Sequence, residues 1–179
     1  SSRRRHTRYI SVTGVQTCAL PILQDDSRIV LVLAGEGALR QHLELTAANL
    51  PNVRFLPLQP VSRLNDLLNL ADVHLLPQRA DAADLVMPSK LPGMLASGRP
   101  VIAGANLGTQ IATEVEGAGL VVAPDDGVAM AAALRQLADN REVRIRYGAM
   151  ARSRALSHWE RDSILSWLES RLCDLIQRP

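Results

Sequence analysis

Six consecutive apolar residues, Ile29-Val30-Leu31-Val32-Leu33-Ala34, run without a polar interruption into Gly35-Glu36-Gly37. A strand with one wet face alternates apolar and polar side chains. An unbroken apolar run of strand length is what a strand covered on both faces requires, as in a parallel sheet. Shorter runs follow at Asn52-Val53-Arg54-Phe55-Leu56, Val73-His74-Leu75-Leu76, Val101-Ile102-Ala103 and Leu120-Val121-Val122. Stretches of helical periodicity separate them through short loops. This alternation predicts an α/β fold with a doubly wound parallel sheet, built as one unit over residues 23–179. Aromatic residues make up only 3% of a chain that is 47% hydrophobic, so the core must be packed from Leu, Val, Ile and Ala.

Several helix boundaries are written locally. Leu39, Leu43 and Leu45 mark a helix after the glycine pair. Ser62 is placed to cap a helix carrying Leu64, Leu67, Leu68 and Ala71. A helix is expected to start at Pro88-Ser89-Lys90 and to stop at Gly98, where a left-handed residue is needed and Pro100 bars continuation. Another is expected around residues 110–116. Pro124-Asp125-Asp126-Gly127 reads as a turn supplying an acidic cap to the helix of Met130, Leu134 and Leu137. Ser157-His158-Trp159-Glu160 fits a capping box before a last helix striped by Ile164, Leu168, Leu172 and Leu175, a surface suited to docking.

Residues 1–22 stand apart. They carry Arg3, Arg4, Arg5 and Arg8 and no acid, without the sustained apolar segment of a signal peptide. Their ending, Cys18-Ala19-Leu20-Pro21-Ile22, resembles a translated sequencing adapter, since GCTCTTCCGATC encodes Ala-Leu-Pro-Ile. The segment is therefore expected to be a non-native tail, leaving the sheet short of an inner strand with an unpaired edge. Without it, the chain has 16 basic and 18 acidic residues, which offers no basic stripe for nucleic acid. Two cysteines, Cys18 and Cys173, form neither a disulfide framework nor a metal cluster, and a reducing cytoplasm is the default compartment. His42, His74 and His158 are scattered without ligands at metal spacing. Glu114 and Glu116, and the basic face of residues 141–154, read as solvated.

Two places could carry chemistry. Gly35 and Gly37 follow a buried strand and precede a helix, where glycine permits close backbone approach and a helix start offers N–H groups to an anion. A dinucleotide fingerprint would place a third glycine at position 40, which is Arg40, so the pair reads equally as a tight turn. More specific is the stretch DAADLVMPSKLPGMLASGRPVIAG from Asp81 to Gly104. Ser89 and Lys90 sit at the expected helix start, and Lys90 is the only lysine beside 19 arginines. A compact ammonium next to helix amides suits a diphosphate.

In order, the chain offers an apolar strand, Gly-x-Gly, Asn-Val-Arg-Phe-Leu, Leu-Ala-Asp-Val-His-Leu-Leu-Pro, Pro-Ser-Lys-Leu, Leu-Ala-Ser-Gly-Arg-Pro-Val-Ile-Ala and a Trp159 helix. This resembles the C-terminal, donor-binding domain of family 4 glycosyltransferases of the GT-B fold. The Asp-Leu-Val-Met-Pro-Ser-Lys variant is similar to the colanic-acid and exopolysaccharide branch. The resemblance implies a nucleoside-diphosphate sugar as substrate, no cofactor and no metal, retained anomeric configuration, and a glycan or lipid-linked acceptor bound by an N-terminal domain. It implies that Pro57, Leu58 and Gln59 run beside the nucleobase, that Ser89, Lys90 and Leu91 face the diphosphate with Gly35 and Gly37, and that Asp81 and Asp84 approach the donor sugar. The family's paired glutamates are replaced by Leu85 and Gly93, which removes the usual ribose contact. A bacterial cytoplasmic enzyme, at most peripheral to the inner face of the plasma membrane, is the implied setting. The alternatives left open are a nucleotide-sugar 2-epimerase-like enzyme and a non-enzymatic nucleotide-binding module.

Overall fold

The computed structural model describes residues 8–12, 19–78 and 87–176, and for 8–12, 19 and 20 the backbone alone. Six parallel strands form one sheet in the order β3-β2-β1-β4-β5-β6: β1 is Arg8–Val12, β2 Ile29–Ala34, β3 Val53–Leu56, β4 Val73–Leu76, β5 Val101–Gly104 and β6 Gly119–Val122. The helices are α1 Ala19–Ile22, α2 Arg40–Thr46, α3 Leu64–Leu70, α4 Leu91–Ala96, α5 Gln110–Val115, α6 Gly127–Asp139, α7 Arg141–His158 and α8 Arg161–Ile176. The doubly wound α/β architecture read from the sequence is the one observed.

The inner strand expected to be missing is present. Arg8–Val12 lies between β2 and β4, with Ile10 paired to Leu31 on one side and Val73 on the other. Leu23 is fully buried in the core, and the Arg135 guanidinium on α6 donates to the Ile22 carbonyl at 2.7 Å. An alternating, arginine-led segment carries no apolar run to announce a buried strand. Its position is set by the two neighbours that need a partner.

Period-two alternation divides the core into two layers. Leu31, Val73, Leu75 and Ile102 face Leu23, Met130, Leu134 and Leu137. Leu76, Val101 and Ala103 face Leu91, Met94, Leu95, Ile111, Val115, Ala151 and Ala155. Adjacent residues such as Leu75 and Leu76 thus serve opposite layers, and all four residues of β4 and of β5 are buried.

Caps agree with the sequence in part. Asp126 accepts from the Ala129 amide at 2.8 Å and caps α6 as expected. Gly98 takes φ +69° after α4. The others differ. Ser62 lies within a 3₁₀ turn, Val61–Arg63, and makes no side-chain cap for α3. The last helix is capped by Glu160, whose carboxylate accepts from the Ser163 amide at 2.8 Å, while Ser157 bonds back to the Arg154 carbonyl within α7. That amide hydrogen bond holds the Glu160 carboxyl below its ordinary range. On α2, Leu43 is buried but Leu39 and Leu45 are exposed, so the helix docks by a narrower face than its leucines suggested.

The basic face of α7 is solvated only in part: Arg141, Arg146 and Arg152 are exposed, but three of its guanidinium groups reach main-chain carbonyls. Arg144 is buried and donates to the Leu137 and Ala138 carbonyls at the end of α6. Arg152 donates to Ala96 at the end of α4 (2.8 Å), and Arg154 to Thr113, Glu114 and Glu116 around the end of α5 (2.7–2.8 Å). Guanidinium groups here satisfy terminal carbonyls that lack helical partners. Glu114 is also buried, correcting the solvated reading; it receives Trp159 Nε1–H at 3.3 Å and lies 3.2 Å from His158 Nδ1. Glu116 is exposed as expected.

α7 crosses the end of α4 at Gly148, where an added Cβ would stand 2.3 Å from the Gly98 carbonyl oxygen. Gly148→Ala should therefore push the helices apart and cost about 1–3 kcal/mol, the usual cost of overpacking, read as a lower urea midpoint.

His74 is buried on β4, with Nε2 3.0 Å from Ser97 Oγ. Ser97 donates its own proton to the Met94 carbonyl, so the imidazole must donate from Nε2, in the neutral form. Burial, with Arg99 adding repulsion, pushes its pKa down to about 4. The unfolded chain then binds the extra proton first, and stability falls as pH drops from about 6.5 towards 4. His74→Gln should flatten this acid slope by about 2–3 kcal/mol between pH 7 and 4.5, measured by denaturant unfolding against wild type.

Candidate functional site

Ligand crevices in open parallel sheets lie beyond the carboxyl ends of the strands. A cleft of about 300 Å³ occupies that place here, lined by Ala34 and Gly35 from the end of β2, Leu58 and Gln59 after β3, residues of α3, and Ser89, Lys90, Gly93 and Met94 around the start of α4. Its volume is at the lower end of small-ligand sites.

The β2 end is held by Arg40. Its guanidinium donates to the Gly35 carbonyl at 2.5 Å and the Leu56 carbonyl at 2.7 Å, pairs with Glu44 at 2.7 Å, and stands 5.3 Å from the Phe55 ring centre. One side chain thus fastens two strand ends that open onto the cleft. Gly35 has φ +125°, which side-chain-bearing residues rarely adopt, and a Cβ there would meet nothing within 4 Å. The glycine is required by conformation and leaves open space above it.

The opposite wall begins with a turn. The Leu91 amide bonds to the Pro88 carbonyl at 3.0 Å, and the helix proper starts at Leu91, two residues later than the expected Ser89 start. Ser89 makes no side-chain cap; it and Lys90 are exposed at the cleft rim. The side chain of Leu91 is fully buried in the second core layer, and Leu91 does not line the cleft. Gly93 lines the cleft where the resemblance led one to expect a glutamate, and Leu68 Cδ1 would lie 3.6 Å from a Cβ at that position.

Of the sequence-predicted residues, Gly35, Leu58, Gln59, Ser89 and Lys90 are gathered around this one cleft, whereas Gly37 and Pro57 flank it without lining it. Pro57 instead accepts from Gln59 Nε2 at 2.9 Å. Asp81, Asp84 and Leu85 lie outside the described residues. Sequence reasoning missed Leu64, Leu67 and Leu68, which form an apolar wall, because a leucine stripe at helical spacing reads as core. It also missed Arg40, noted only for not being glycine. No group of three or more His, Cys, Asp or Glu side chains able to hold a metal occurs among the described residues.

The Glycosyl transferases group 1 profile matches residues 15–140. The chain belongs to that family. It is 34% identical over 116 residues to WcaI of Escherichia coli (strain K12), named as a colanic acid biosynthesis glycosyl transferase; the match covers 62% of this chain and 28% of that relative. The fold is similar to HepE of Anabaena, solved with UDP and glucose (TM-score 0.77, 14% identity, 94% of this chain and 49% of that one). It is also similar to sucrose-phosphate synthase of Thermosynechococcus elongatus (0.78, 19%, 98% and 47%). The separately solved C-terminal domain of the group 1 protein LpcC from Francisella tularensis matches with TM-score 0.69 and 16% identity, covering 86% of this chain and 87% of that one. The chain thus spans about half the length of the first two solved proteins, and its described fold is that of a GT-B C-terminal domain.

Replacing Arg40 by Ala should unfasten the Gly35 and Leu56 carbonyls together. Amide exchange at Gly35 and its neighbours should quicken by about tenfold or more, the loss of roughly one charged hydrogen bond, while amides of β5 keep their protection.

Proposed function

We propose that this family member supplies the donor-binding half of a sugar transfer from a nucleoside-diphosphate sugar, in the assembly of a bacterial exopolysaccharide. The observation that carries the reading is the cleft itself: the chain's only lysine, Lys90, lines it together with Ser89, Gly35, Leu58 and Gln59. In this reading the base lies along Leu58 and Gln59 against the leucines of α3. The diphosphate rests between the Lys90 ammonium, the Ser89 hydroxyl and the open backbone at Gly35. The chemistry asked of these groups is orientation and neutralisation of the departing phosphate, without a resident cofactor or metal. The acceptor, a glycan or lipid-linked sugar, is assigned to the half of the enzyme that this chain does not span. Retention of configuration and a site of action at the cytoplasmic face of the membrane belong to the same proposal. The likeness to WcaI, named for colanic acid biosynthesis, supports the exopolysaccharide part of the reading. Among the described residues no helix is long and apolar enough to cross a membrane.

Calorimetry of the 179-residue chain against UDP, GDP and ADP is the direct test. One of them should bind saturably, and Lys90→Ala should weaken it at least about tenfold, the loss of one charged phosphate contact. Because Lys90 is exposed, the variant should keep its unfolding temperature. Equal binding by wild type and variant, or none of the three nucleotides binding folded protein, would remove the donor assignment. Release of an epimerised sugar from donor alone by the enzyme containing this domain would replace transfer by epimerisation.

A further inference from the structure

The opposite edge of the sheet, where the strands begin, carries a second cleft of about 370 Å³. Asp72, Arg99, Arg141 and Arg144 line it, with Gly98 and Pro100 at its floor. Asp72 and Pro100 immediately precede β4 and β5, so this cleft and the Lys90 cleft lie at opposite ends of the strands. Its charged lining comprises three arginines and one aspartate. Arg144 already has carbonyl partners at the end of α6. Arg99 differs: its Nε is buried and has no hydrogen-bond acceptor among the described residues. A buried N–H of a charged group left without an acceptor costs stability, so the arrangement is complete only when something accepts from it. Arg141, exposed on the first turn of α7, brings a further guanidinium to the same space.

We infer that this cleft is an oxyanion site, in which a phosphate monoester bridges the guanidinium groups of Arg99 and Arg141. The lining's net charge of +2 matches the near-dianionic state of a phosphate monoester at neutral pH, and planar guanidinium forks suit its oxygens. The monoester is either a free phosphate compound or the headgroup of an anionic lipid. The site is independent of the donor cleft and shares no lining residue with it.

The test uses the 179-residue chain carrying Lys90→Ala, which removes the cation of the other cleft. Inorganic phosphate is titrated in, followed by calorimetry and by the ring resonances of His74, a buried neighbour that feels the Arg99 charge. One saturable site with a dissociation constant below about 10 mM is expected, together with movement of the His74 signals. Arg141→Glu should weaken binding at least about tenfold with the fold intact, because an acid on a helix's first turn is favourable. Arg99→Met should abolish the His74 response; if that variant fails to fold, Arg141→Glu alone decides. Co-sedimentation with vesicles of phosphatidic acid in phosphatidylcholine, but not of phosphatidylcholine alone, and its loss in Arg141→Glu, would assign the lipid source. Phosphate binding without co-sedimentation would assign a soluble phosphate compound. No saturable binding, or binding that Arg141→Glu leaves unchanged, overturns the site.

Discussion

Every helix that returns along a parallel sheet ends where the strands begin, so a fold of this kind collects unpaired helix carbonyls along one edge. Those carbonyls carry the negative ends of the helix dipoles, and they need donors. In this protein α7 supplies them. It runs beneath that edge, and from Arg144 to Arg154, about 15 Å of helix, its guanidinium groups reach the ends of α6, α4 and α5. Arg135 does the same for α1 from within α6. The closeness this requires is purchased by small residues: Gly148 against Gly98, with Ala151 and Ala155 buried beneath.

The consequence at the other edge is a division of labour. There the β2 and β3 ends and the α4 turn face outward, and the chain places a glycine with open space above it, an exposed ammonium and an apolar wall. A cleft bordered by backbone is only as well defined as the loops that hold it. Arg40 fixes two of those loops through their carbonyls and leaves the inner face of Gly35 clear. The same chemical device, a guanidinium on main-chain oxygen, thus closes one edge and shapes the edge that carries the Lys90 cleft.

What the sequence disclosed follows from how local each cause is. Buried strands are legible in β2, β4 and β5 because double-sided burial favours a nearly unbroken apolar run, interrupted in these three only by His74. Gly98 and Asp126 are legible because a left-handed residue and an N-cap are decided within a few residues. The inner strand at Arg8–Val12 is not, since its place comes from hydrogen bonds to β2 and β4, which residue type barely records. Arg144 and Arg154 read as part of a solvated face because their partners are carbonyls, and a carbonyl looks the same under any side chain. Glu114 was misread for a related reason: its partners, His158 and Trp159, lie more than 40 residues away. In the cleft, Ser89 and Lys90 are singled out by composition and by position before a helix, and both line it. Leu64, Leu67 and Leu68 are not singled out, because a leucine lining a cleft and a leucine filling a core have the same periodicity.

The last helix follows from these constraints in a different way. None of the residues of α8 is buried, and Ile164, Leu168, Leu172 and Leu175 all stand exposed along its stripe. An isolated helix of its length is marginal in water, and among the described residues its contacts with the domain are concentrated at its start, where Ser163, Ile164 and Trp167 share a cleft with Glu114 and Trp159. Glu160 caps the first turn, and just before it Trp159 and His158 are tied to the buried Glu114 on α5. Arg171 stacks on Trp167 one turn apart and adds a little within the helix. The direction in which the helix leaves the domain is therefore fixed by the domain itself, through a buried carboxylate at the α7–α8 joint. Its apolar stripe, by contrast, stands about half exposed along its length.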